Sequence, residues 1–267
     1  MRLLVTRPLP DAYRQADTLA ALGHTPVLAP LLRIEFLSGV TLPLEGCQAL
    51  IATSRNALRA LGAHPEHQKA LSIPLIAVGE ATAAEAARLG FTKVTTGAGA
   101  AETLVRLIQG QFEAKDGALV HLAGATLAFG LKAALKSQGF QVHQPVLYRA
   151  VAADMLPKEA RAELAAGTLD GVILMSPRTA AIFTALVRKY QAVTEAARLR
   201  CYCLAASVAE AAAPLGASLR VAPRPHDRAT PPCLDGCGDM LAGIHRRCRH
   251  ALYPRARHHE QGAGARR

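Results

Sequence analysis

Apolar residues follow two alternating rhythms along this chain. Short, wholly apolar runs, the mark of strands buried on both faces, alternate with stretches whose apolar residues recur three or four apart. Residues 2–36 show the scheme. An apolar strand and a loop lead to a helix with Ala12, Ala16, Leu19 and Leu22 on one face. Gly23 then marks a left-handed stop, and a second strand ends in Leu-x-Arg. Residues 118–150 repeat this order, with Leu127, Leu131, Ala134 and Leu135 on the helix face and Gly139 at its end. A second block, 49–61, matches 171–186. Each is an apolar strand running into a serine, Ser54 or Ser176, placed to cap the next helix, and Pro177 falls at the favoured first helical position. A third block, 75–91, matches 202–217: strand, short turn, and an alanine-rich helix ending in Leu-Gly.

Three blocks in shared order predict a duplicated α/β protein with two similar open parallel-sheet (flavodoxin-like) lobes. Such sheets bind ligands at the carboxyl ends of their strands, so the lobes are expected to face each other across a cleft. The copies part at their ends. Residues 94–96 lead to a helix with Leu104, Leu107 and Ile108 on one face. The other copy reaches 219–223 and runs into 226–267, where Pro231 and Pro232 stand and no apolar period remains. That segment reads as a disordered basic tail.

Composition narrows the function. The 267 residues carry a net charge of +11, which suits an anionic partner, and the tail holds eight arginines against four acidic residues. With no tryptophan and 4% aromatic residues there is no stacking pattern, so nucleic acid is not the expected partner. No apolar run is long enough for a membrane span, and the N-terminus reads as a first strand and not as a signal peptide. Cys47, Cys201 and Cys203 are expected as reduced thiols of a cytoplasmic protein. Cys233, Cys237, His245, Cys248 and His250 have no standard zinc spacing. GAGAAE at 97–102 lacks the third glycine of a dinucleotide loop, and no phosphate-loop lysine is present. Neither metal nor cofactor is expected.

At VTRP, GHTPVLAPLLRIE, IATSRNAL and AVGEATA, over about residues 2–225, the sequence resembles the uroporphyrinogen-III synthase family. The resemblance implies a monomeric lyase of haem biosynthesis that needs no cofactor. Its substrate, hydroxymethylbilane, is a linear tetrapyrrole with eight carboxylates. It is closed into a ring with inversion of the last pyrrole and loss of water. The resemblance also implies discontinuous lobes: 1–35 with 152–225, and 36–151. Two crossings, near 34–38 and 149–154, would form a two-stranded hinge.

That chemistry asks for positioning and for a proton donor to the leaving hydroxyl. Tyr148, near the second crossing, matches the family's usual candidate donor. Carboxylates suit helix N-termini after strands, where N–H groups are free. Candidate binding residues are therefore Thr53, Ser54, Arg55 and Asn56, then Gly79 and Thr82, and Ser176 and Arg178, with Arg7 at the end of the first strand. Ser54 and Ser176 also read as plain helix caps. In the fourth such turn Val208 stands where the repeat has Thr82. Arg33 and Arg149 read as structural. The competing readings are a non-catalytic two-lobed protein that binds a small polyanion, and a nucleic-acid binder that uses the basic tail.

Overall fold

The computed structural model describes residues 1–127 and 129–221. The readings placed on 226–267 lie outside the described residues. The chain starts with β1 (Arg2–Val5), α1 (Asp11–Ala21), β2 (Thr25–Leu28) and β3 (Leu32–Phe36). It continues through β4 (Cys47–Ala52), α2 (Arg55–Gly62), α3 (His67–Ala70), β5 (Leu75–Ala77), α4 (Glu80–Arg88), β6 (Val94–Thr96) and α5 (Ala101–Gln109). Then come β7 (Ala118–Gly124), α6 (Leu131–Lys136), β8 (Val142–His143) and β9 (Val146–Ala152). The last described part holds α7 (Lys158–Ala165), β10 (Gly171–Leu174), α8 (Pro177–Lys189), α9 (Val193–Ala197), β11 (Arg200–Cys203), α10 (Ala206–Ala212) and β12 (Ser218–Val221).

These strands make two sheets. The first is wholly parallel, ordered β2-β1-β10-β11-β12, with Leu3–Val5 in register with 171–173 on one side and with 26–28 on the other. The second is ordered β3-β9-β7-β4-β5-β6, with β8 also paired to β7. Matching the repeated blocks strand by strand turns β2-β1-β10-β11-β12 into β8-β7-β4-β5-β6. Both copies thus have the order of a doubly wound sheet, reversing once along its width. The strands that the resemblance places at the two crossings pair with each other: β3 and β9 are antiparallel, Leu32 opposite Ala152 and Phe36 opposite Tyr148. Arg33 and Arg149 both bind Glu35 there, the latter through Nε at 2.7 Å.

Apolar strands are covered on both faces, as their unbroken runs require. Leu4, Val172 and Leu174 meet Ala160, Phe183, Val187 and Ala212 of the helices on one face, while Leu3, Val5 and Ile173 meet Ala12 and Leu19 of α1 on the other. In the second sheet Leu50, Ala77 and Val120 pack under α2 and α4, and Ile51, Ile76 and Leu119 under α5 and α6. Helix ends follow the sequence signals. Gly23 and Gly139 adopt φ of 79° and 88°. Ser54 accepts a hydrogen bond from the Asn56 N–H, and Ser176 forms a capping box with Thr179, Pro177 opening the helix. Val208, on α10, is buried in the core of the first sheet. Cys201 and Cys203 are buried in β11, where loss of solvation pushes their thiols up to about 12 and about 11; burial likewise raises Cys47 to about 11. They stay protonated and unreactive at neutral pH.

One expected helix face needs correction. Leu127 does not join Leu131 and Leu135 on α6; it is exposed, in the loop before the helix. Apolar spacing alone pointed to a longer helix, but Gly130 stands immediately before the first turn, and Thr126, Leu127 and Phe129 line a cavity instead.

Phe183 is the largest fully buried side chain of the first sheet's core. Phe183→Ala is expected to destabilise the protein by about 3–5 kcal/mol, read as a lower urea midpoint at unchanged slope.

Candidate active site

Parallel connection brings the ends of β4, β5 and β7 to one edge of the second sheet. The strand order reverses between β4 and β7, and a cavity of about 300 Å³ opens there. Thr53 and Ser54 line it from the turn into α2, Val78 from the end of β5, Gly124 from the end of β7, and Thr126, Leu127 and Phe129 from the loop that follows. Tyr148 enters from β9. Its ring lies directly over Gly124, where an added Cβ would stand 2.6 Å from the ring Cζ and 2.8 Å from the phenol oxygen. Only a residue without a side chain leaves the phenol this place.

His121 completes the cavity, and sequence reasoning missed it. It is the single polar residue of β7, ALVHLAG, and is 1% exposed. Its Nε2 lies 3.1 Å from Thr53 Oγ1 and its Nδ1 3.4 Å from Gln144 Oε1. Burial lowers its pKa, against a smaller opposite push from Gln144, so the ring is neutral at pH 7. A signal did exist: the strand repeat aligns Val5 with His121, so one copy holds a polar ring where the other needs an apolar one.

The other candidates lie elsewhere. Arg7 and Arg55 do not line this cavity; both face Asp11 of α1, at 3.5 and 3.1 Å. Arg14 and Arg59 meet the same carboxylate at 2.7 Å each, and Arg59 also reaches Glu85 of α4 at 3.5 Å. Asn56 accepts from Arg59 at 2.9 Å. Gly79 caps α4 and packs on Gly99, and Thr82 is buried in the first turns of that helix. Ser176 and Arg178 belong to the first sheet, and the Arg178 guanidinium donates to the Ala150 carbonyl of β9 at 2.6 Å. Thus Thr53, Ser54 and Tyr148 come together, Arg7, Arg55 and Asn56 gather around the Asp11 cluster, and the rest stand apart.

Burial alone would push the Asp11 carboxyl up. Hydrogen bonds from Arg59 and Arg14 and the charge of Arg55 outweigh it and hold the carboxyl below its ordinary range. Asp11 and Arg59 tie α1, on the first sheet, to α2, on the second.

A family model described as "Uroporphyrinogen-III synthase HemD" matches residues 14–230. The chain belongs to the uroporphyrinogen-III synthase family. Two solved structures share the fold at 18% identity. Uroporphyrinogen-III synthetase from Helicobacter pylori has a TM-score of 0.58 over 91% of this chain and 98% of that one. A mutant uroporphyrinogen III synthase from the extremely thermophilic bacterium Thermus thermophilus has a TM-score of 0.51 over 93% and 99%. No curated protein matches the sequence. Membership in the uroporphyrinogen-III synthase family sets the activity: cyclisation of the linear tetrapyrrole hydroxymethylbilane to uroporphyrinogen III in haem biosynthesis. Among the described residues no helix is long and apolar enough to cross a membrane.

Two outcomes follow from this geometry. Asp11→Asn leaves four guanidinium groups without their shared carboxylate and is expected to cost about 1–3 kcal/mol at pH 7, less than a fully buried pair because the arginines keep some solvent. Since the folded carboxyl is lowered, this contribution is complete above the unfolded pKa of about 3.9 and fades as pH falls through the folded value. The gap between the two urea curves should therefore narrow as pH falls below the unfolded value, and a gap unchanged from pH 7 down to the lowest pH at which both proteins fold would refute the assignment. Gly124→Ala is expected to cost about 1–3 kcal/mol through overpacking and to drive the phenol out of its seat. A structure of the variant with the Tyr148 ring unmoved would contradict this.

Proposed function

We propose that ring closure takes place in the cavity at the β4–β7 edge, with Tyr148 as the proton donor. The observation that carries this reading is the seating of the Tyr148 phenol over Gly124, in one cavity with Thr53, Ser54 and the buried His121. The phenol gives its proton to the hydroxymethyl oxygen, the C–O bond breaks, and water leaves. The pyrrole nitrogens spread the resulting cation, which attacks the substituted carbon of the last ring. Opening of that spiro centre and reclosure invert the ring. The proton lost as the pyrrole regains aromaticity restores the phenol. No electron acceptor and no metal is required by these steps, and the reaction is proposed to need no cofactor.

The eight substrate carboxylates are proposed to be held by the backbone N–H groups at the starts of α2, α4 and α8, helped by Arg7, Arg55, Asn56, Gly79, Thr82, Ser176 and Arg178. Asp11 occupies Arg7 and Arg55 in this structure. Residues 1–35 with 152–225 and residues 36–151 are proposed to move as two lobes about β3 and β9, so that opening releases these arginines to the substrate. The protein is proposed to act as a cytoplasmic monomer on this tetrapyrrole alone.

The test is product analysis with hydroxymethylbilane. The wild-type protein should form the type III isomer faster than spontaneous closure forms type I. Tyr148→Phe should lower turnover by about tenfold to a hundredfold, a modest acid contribution, with KM nearly unchanged. Unchanged turnover would remove Tyr148 from the mechanism.

A further inference from the structure

His121 stands in the middle of β7, the one polar side chain in a strand buried along its whole length. A neutral imidazole carries one proton and so has one donor and one acceptor. Gln144 Oε1 stands 3.4 Å from Nδ1 and accepts only, so with the amide oriented this way the proton sits on Nδ1. Nε2 is then the acceptor, and at 3.1 Å it takes the hydroxyl hydrogen of Thr53. Thr53 has no second hydrogen to offer. Its oxygen turns only lone pairs toward the cavity that it lines with Tyr148.

The choice of substrate group follows. A carboxylate is acceptor-only and finds no partner in that oxygen. The linear tetrapyrrole carries one other kind of polar group in number, the pyrrole N–H, and this is a donor. We propose that His121 is a positioning residue which, by holding the Thr53 hydroxyl as an acceptor, makes Thr53 the seat of a pyrrole N–H beside Tyr148 and not of a carboxylate. The proposal rests on the reading that this cavity closes the tetrapyrrole ring. It changes the role of Thr53 within that reading: Thr53 orients a ring, while the neighbouring backbone N–H groups receive the acids.

The tautomer is measured on the full chain with 15N-labelled histidine, the His121 signal being assigned by its loss in His121→Gln. A neutral ring protonated on Nδ1 at pH 7 is expected; protonation on Nε2 would overturn the proposal whatever the activity. Kinetics then test the consequence. His121→Leu should lower kcat about tenfold, as loss of positioning does, with KM within about twofold. His121→Gln, whose side-chain oxygen can accept from Thr53, should recover most of that loss, because the group needed is an acceptor and not an ionisable ring. Thr53→Val should add little to His121→Leu, since both break one contact. Full additivity, or failure of His121→Gln to recover at a melting temperature equal to wild type, would overturn the proposal. A wild-type protein that forms no type III isomer would instead strike the reading of the cavity itself, and the proposal with it.

Discussion

Parallel pairing is the constraint from which the rest follows. A strand that pairs parallel to its predecessor must be reached by a crossover, so every strand of β4, β5 and β7 ends at the same edge. Helix starts gather at that edge, and with them the unpaired N–H groups that anionic ligands seek. Where the order reverses, between β4 and β7, no crossover covers the gap, and the cavity lies there. Tyr148 reaches it because β9 continues the sheet beyond β7 and Gly124 gives way beneath the ring.

Charge divides the molecule's edge in two. The cavity of Thr53, His121 and Tyr148 is lined by polar side chains without a carboxylate or a guanidinium. The Asp11 cluster holds four guanidinium groups around one carboxylate, with Glu85 close by. A structure that joins its two sheets through such a cluster can separate them only by solvating these charges. On the lobe motion proposed above, that demand is smaller when incoming carboxylates take the place of Asp11.

Much of this was legible in the residues. The duplicated blocks predicted parallel sheets covered by helices, because β-α units with buried strands leave few arrangements. Ser54, Ser176, Pro177, Gly23 and Gly139 marked helix ends by local chemistry, which acts within a few residues and so can be read from them. Leu127 could not be placed, since apolar spacing does not say where the first helical turn begins. The partnership of Arg55 and Arg59 with Asp11, more than forty residues away in sequence, was equally hidden. Arginines look alike in a sequence whether a ligand or a carboxylate of the same chain neutralises them. His121 was overlooked because it matches no motif; its meaning lies in what Thr53 and Gln144 do around it.

The central strand of the first sheet is made long before one of its two neighbours. β1 lies between β2 and β10, and its register partners on one side begin at Gly171. On the ribosome, with chains growing at about 5–20 residues per second, Leu3, Leu4 and Val5 wait about 10–30 s for that neighbour to be synthesised. In that interval β4 through β9 emerge complete and can pair among themselves. The order of maturation is thus inverted: the second sheet can assemble while β1 is still an apolar strand with an open edge, the kind of segment that chaperones and wrong partners both find.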